Sequence, residues 1–187
     1  MIYEAVEPRL LALCESELRA RLGGECDVSD YFPDELSESI RAAYVAERVE
    51  IRRTDRELYI GNILVESRAL ESMAKDSEYC LFLICTLGLG VDRLISKCAV
   101  TSPTRAFVLD ALADAYIEAL CDKAENSIAG EGTRHVRLSP GYGDIDLSLG
   151  AMIIKSLDAE RTLGIKLSES GLMIPKKTVS AIVFVKG

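Results

Sequence analysis

The chain has 187 residues, the size of one domain, and 49% of them are hydrophobic, enough for a substantial buried core. Its 22 Lys+Arg against 30 Asp+Glu leave a formal charge of −8, which gives no basic footprint for phosphate backbones or anionic lipid, so nucleic acid and membrane surfaces are excluded as expected partners. The longest apolar run, Tyr79 to Val91, is broken by glycines and falls short of the roughly 20 residues of a membrane span, and the N-terminus carries no targeting pattern, so a cytoplasmic location is expected.

Residues 2 to 22 place Ile2, Val6, Leu10, Leu13, Leu18 and Leu22 at helical spacing, which predicts an amphipathic first helix stopped by Gly23-Gly24. A second helical pattern follows Pro33 and runs through Ile40, Ala43 and Tyr44 toward Ala46. Arg48 to Arg53 and Glu57 to Ile60 then read as a hairpin around Thr54-Asp55-Arg56, and Ser67 is placed to cap a short helix ending near Lys75. Glu78 to Thr86 is too continuously apolar for a half-exposed strand and predicts a central one. Leu87-Gly88-Leu89-Gly90 turns it into a helix over Val91 to Ala99; Arg93 occupies the place of the third glycine, so a dinucleotide loop is not expected. Ser102-Pro103 and Gly130 bracket one long helix, apolar around most of its circumference and therefore central. Beyond it come a strand at Arg134 to Leu138, a loop at Ser139 to Asp144, a helix from about Leu147 to Ala159, a strand near Ile165 to Leu167 and a last strand at Thr178 to Val185. Hairpin, isolated strands and segregated helices without βα alternation define an α+β fold.

The residues for metal or hydrolytic chemistry are sparse. Cysteines stand at 14, 26, 80, 85, 98 and 121 with no C-x-x-C pair, and are expected as reduced core thiols; Cys80 and Cys85, at odd separation in one strand, should point to opposite faces. The single histidine, His135, lies beside Arg134 and Arg137 and is expected at the surface rather than as a general base. Glu118 sits within the most apolar stretch of the long helix, where a solvent-edge carboxylate and a functional one are both open.

The most specific string is Arg137-Leu-Ser-Pro-Gly-Tyr-Gly-Asp144. It resembles the R-x-x-P-G-Y signature of the activation (reactivation) domain of cobalamin-dependent methionine synthase, and Gly164-Ile-Lys-Leu-Ser-Glu-Ser170 and Met173-Ile-Pro-Lys-Lys-Thr-Val-Ser180 are similar to the later segments of its stand-alone members. The resemblance covers roughly residues 60 to 187, so that residues 1–60 are expected as a helical segment and hairpin joined to a core at 61–187. It implies a C-shaped domain with a bent antiparallel sheet and packed helices, binding S-adenosylmethionine. It also implies partners: a separate cobalamin-bearing methionine synthase chain, and a flavodoxin- or ferredoxin-type donor whose electron precedes methyl transfer to the cobalt. Two other readings stay open: a non-catalytic scaffold that kept the fold and lost the ligand, and service to another corrinoid methyltransferase. The family's D-W-x-P-F-F-like segment has no counterpart here, and Gly150 stands where the stand-alone members carry glutamine.

Under this resemblance the ligand-binding residues are Arg137, Ser139, Pro140, Gly141, Tyr142, Glu118 and Asp144, with no catalytic side chain and no protein-bound metal. Arg137 offers a planar fork for the carboxylate of the methionine moiety, from a loop exposed enough for its loss to leave the fold intact. Pro140 and Gly141 let the backbone approach the ligand and leave the main-chain groups of Ser139 free, and Tyr142 supplies a ring for the adenine. Glu118 and Asp144 are the carboxylates for the sulfonium charge.

Overall fold

The computed structural model describes residues 1–13, 15–22, 34–54, 57–130 and 135–186. Five antiparallel strands form the main sheet in the order β1 (Ile2–Val6), β2 (Ala42–Val49), β6 (Tyr79–Thr86), β10 (Thr178–Val185) and β7 (His135–Leu138). β3 (Ile51–Arg53), β4 (Leu58–Ile60) and β5 (Ile63–Val65) make a small meander, and β8 (Lys166–Leu167) pairs with β9 (Met173–Ile174). The helices are α1 (Glu15–Leu22), α2 (Asp34–Ser39), α3 (Arg68–Lys75), α4 (Leu89–Thr101), α5 (Pro103–Ala129), α6 (Ser148–Ser156) and α7 (Ala159–Leu163). Among the described residues no helix is long and apolar enough to cross a membrane.

Both faces of the sheet are covered, which is why its inner strands read as unbroken apolar runs. On one face Leu81, Leu83, Cys85, Val183 and Val185 pack with α5, whose Leu109, Leu112, Leu120 and Cys121 are buried. On the other, Cys80, Phe82, Ile84, Ile182 and Phe184 pack with α3, the meander and α6. Cys80 and Cys85 thus face opposite cores, as their separation requires, and Cys98 and Cys121 are likewise buried free thiols; Cys14 and Cys26 lie outside the described residues. Lys177, at the start of β10, ties the sheet to α5 through Asp114 (2.5 Å) and Asp110 (2.9 Å).

The long helix spans the length that proline and glycine bracket, although the Ser102 side chain makes no capping bond and its backbone carbonyl serves instead, accepting from Ala106 at 3.0 Å. Other local expectations hold too: Ser67 accepts from the Leu70 amide at the start of α3, and β6, expected from its continuous apolar run, lies mid-sheet. The turn at Gly88, with φ +81°, sends the chain from β6 into α4.

Three expectations fail. Residues 2–6 are not helical but pair with β2, Ile2 opposite Ala46 through Val6 opposite Ala42, and Leu10, assigned to the apolar stripe, is exposed in a single 3-10 turn; α-helix begins at α1, and the Gly23-Gly24 stop lies outside the described residues. The second helix ends at Ser39, because Ala42 to Val49 is captured as a strand between β1 and β6 despite its alanines: burial between two partners outweighs local propensity. Finally, the helix expected from Leu147 to Ala159 breaks in two at Asp158, which holds φ +47°, a left-handed conformation that aspartate tolerates better than most side chains. β5 was not anticipated at all. It closes on β4 over the turn at Gly61-Asn62.

Candidate functional site

Strand alternation decides where the motif's first residue points. Arg137 stands opposite Val183 and His135 opposite Val185, and both valines belong to the core on the α5 face. On α5, Glu118, Asp122 and Glu125 recur at i, i+4 and i+7 and so share one stripe of that helix. The guanidinium closes on this stripe, Nη2 to Glu118 at 2.5 Å and Nη1 to Glu125 at 2.6 Å, with Asp122 at 3.6 Å. Glu125 uses its second oxygen on His135 Nε2, also at 2.6 Å. The side chain of Glu125 is only 3% exposed and that of Arg137 22%. Burial pushes the Glu125 carboxyl above its ordinary range, while Arg137 and then His135 pull it down; the guanidinium is held charged by its acidic surround.

This geometry corrects several expectations. Arg137 is a half-buried strand residue whose fork is already taken by two helix carboxylates, and His135 is an internal partner of Glu125 rather than a surface group. Glu118 does lie beside Arg137, so the structure brings these two site residues together. Asp144 lies elsewhere: it accepts from Ser67 Oγ (2.8 Å) and from the backbone amides of Arg68 (2.7 Å) and Ala69 (3.4 Å), anchoring the loop to the N-terminus of α3. Asp146 accepts from the Ser148 amide at 2.7 Å in the first turn of α6. The Ser139 carbonyl is not left free, since it accepts from the Tyr142 amide at 3.1 Å. Gly141 holds φ +86°, and a Cβ there would meet Leu147 at 2.9 Å, so the loop needs glycine at that point. The Tyr142 ring projects into solvent, 68% exposed.

The bonds to Asp144 hold its carboxyl below the ordinary 3.8. A depressed folded value contributes stability above the unfolded value and loses it as pH falls through the folded one. Asp144→Ala should therefore melt below wild type at neutral pH, with the two melting temperatures converging in acid, as pH falls from the ordinary 3.8 through the lowered folded value. An equal gap at every pH would show that the carboxylate charge is not what anchors the loop.

Behind Pro140 lies a cavity of 290 Å³, walled by Ser139 and Pro140, by Gly150 and Ile154 of α6, and by Leu167 and Met173 of the β8–β9 ribbon. Its floor is the start of β10, including Ser180. Sequence reasoning missed Glu125 and Ser180. The spacing 118, 122, 125 on an otherwise apolar helix could have found the first; no local signal marks the second. Among the described residues no group of three or more His, Cys, Asp or Glu could hold a metal ion.

The main sheet is open and antiparallel, and the P-G-Y loop leaves its edge strand β7, an α+β architecture. Among solved structures, the MetH reactivation domain bound to AdoHcy is similar to this chain, with a TM-score of 0.75, at 16% sequence identity, over 99% of this chain and 78% of that one. The likeness therefore includes residues 1–60, where the motifs alone showed little. No family model and no curated protein matches the sequence.

Proposed function

We propose that the chain is an accessory module that binds S-adenosylmethionine and presents its methyl group to a cobalamin carried by a separate methionine synthase chain. The observation that carries this reading is the coincidence of string and fold: Arg137 to Asp144 falls at the end of β7 in a fold shared with a domain bound to AdoHcy. The chemistry asks little of side chains. Methyl transfer from a sulfonium to reduced cobalt forms the carbon–cobalt bond, breaks the carbon–sulfur bond and leaves a neutral thioether, with no proton to remove. Positioning and exclusion of water are then the protein's contribution. The electron that reduces cob(II)alamin comes from a flavodoxin- or ferredoxin-type donor.

The test is calorimetric titration of the chain with S-adenosylmethionine, repeated with a purified cobalamin domain, followed by the absorption spectrum of the inactive cob(II)alamin synthase core with reductant and S-adenosylmethionine. Binding, and methylcobalamin recovered only when this chain is present, are expected. No binding at millimolar ligand in either titration, or equal recovery without the chain, overturns the reading.

A further inference from the structure

The main sheet ends on two strands of different character. β7 is four residues long, and its histidine and arginine are held by α5. β1 pairs all five of its residues with β2 in unbroken register, and among the described residues no strand runs along its outer side. An open edge offers a row of backbone donors and acceptors to any strand that meets it, and proteins ordinarily blunt it with lysine, proline or a bulge. Ile2-Tyr-Glu-Ala-Val6 has none of these. Ile2 and Tyr3 are instead 49% and 55% exposed, and the carboxylate on the strand, Glu4, is occupied by the Tyr44 hydroxyl at 2.5 Å and by Lys123 at 3.8 Å.

The edge is also self-complementary. Tyr3, Ala5 and Glu7 share one face by strand alternation, and all three line a cavity of 490 Å³ beside β1, whose far wall is Thr162 and Leu163 of α7. The cavity is roomy because two alanines, Ala5 and its partner Ala43, meet beneath it. If a second β1 is laid antiparallel along the first, opposed residues lie on the same face, so the two-fold axis must fall on a residue. On Glu4 it sets two carboxylates face to face, and on Tyr3 it sets the apolar Ile2 against Glu4. On Ala5 the smallest side chains meet at the axis, Glu4 faces Val6, and Tyr3 faces Glu7, whose backbone is still extended (φ −66°, ψ 124°). No carboxylate then opposes another. Each Tyr3 ring lies diagonal to the Ala5 of the other copy, within aromatic reach of its cavity.

We infer that β1 is an interface between two copies of this chain: the strands pair antiparallel about Ala5, and each Tyr3 seats in the cavity of the other copy. The two sheets then join into one of ten strands, five from each copy, a size that twisted sheets reach. β7 and the P-G-Y loop lie four strands from the interface, at the outer ends of the joined sheet, so both copies remain open to a partner chain there. The formal charge of −8 on each copy opposes contact mainly at low salt, being screened beyond about 8 Å under physiological conditions. The interface is independent of the S-adenosylmethionine reading and stands or falls without it.

Sedimentation of the full chain over a concentration series should show a monomer–dimer equilibrium. Tyr3→Ala should weaken it roughly tenfold or more, as loss of an aromatic anchor does. Ala5→Lys sets two ammonium groups face to face and should abolish it, and because Ala5 is exposed the melting temperature of the monomer should stay near that of wild type. Ala5→Cys reads the register and keeps the test valid if the lysine variant fails to fold. Opposed Cα atoms in an antiparallel pair stand about 4.5–5.5 Å apart, inside disulfide range. With glutathione disulfide as oxidant, the two Ala5→Cys thiols should give up two protons and two electrons, forming one interchain bond and releasing two glutathione thiols. Ile2→Cys, about 20 Å from its own copy in this register, should not cross-link. Wild type treated alike gives the background from the native cysteines. A chain monomeric at every concentration, a dimer that survives Ala5→Lys, or equal cross-linking of Ala5→Cys and Ile2→Cys each overturns the inference. So does a monomer that binds the purified cobalamin domain and loses it in Ala5→Lys, which gives the edge to that partner.

Discussion

Arg137→Ala should destabilise the fold by about 3–5 kcal/mol, the usual cost of removing one partner from a buried ion pair. The loss follows from what stays behind: Glu125, 3% exposed, would keep only His135, and its carboxyl would be pushed further up. A raised folded value contributes stability below the unfolded value and loses it as pH rises, so the variant's deficit should be larger near pH 8 than near pH 5, approximately. Arg137→Lys should recover part of the loss, since one ammonium cannot span both Glu118 and Glu125 as the guanidinium fork does. Arg137→Met combined with Glu125→Leu should regain most of it, because a well-packed apolar pair can replace a buried ionic one. Urea unfolding of the wild type and the three variants at the two pH values measures these differences. A deficit of less than about 1 kcal/mol, typical of an exposed pair, would return Arg137 to the role of a free ligand group.

Leu112→Ala should cost about 2–5 kcal/mol, through lost burial and the cavity left in its place. Leu112 is fully buried in α5, among Leu81, Leu83 and Val183 of the core beneath that helix. α5 spans the sheet and carries the carboxylate stripe, so slackening its packing also loosens the seat of Arg137. In denaturant the midpoint should fall with an unchanged slope, the mark of a destabilised but otherwise normal fold. A loss under about 1 kcal/mol would mean that the helix can collapse onto the gap, and that the core on this face is less tightly packed than its burial implies.

How much of this was legible beforehand depends on the range of the forces involved. The α5 boundaries, the Ser67 cap, the central position of β6 and the full extent of β10 were readable because each is written in neighbouring residues: a proline at N1, a serine three residues before an amide it bonds, an uninterrupted apolar run. The α+β class and the motif string were legible for the same reason. Residues 2–6 and 42–46 were misread because Ile2 to Val6 fits a helical stripe as well as it fits a strand, and the choice is made by hydrogen bonds between Ile2–Val6 and Ala42–Ala46, some 40 positions away.

The site shows the same division at the level of side chains. The sequence by itself determined that an arginine and a tight P-G-Y turn would stand together at the end of a strand, since loop chemistry is local. Only the tertiary structure decided that this arginine faces α5, that Asp144 reaches Ser67 across the fold, and that a cavity opens behind Pro140. The physical reason is that a strand's two faces are equivalent until something packs on them. Which core lies under Arg137, and which carboxylates close on it, is fixed by the docking of α5 and α6 on opposite sides of the sheet, through contacts between residues remote in the chain.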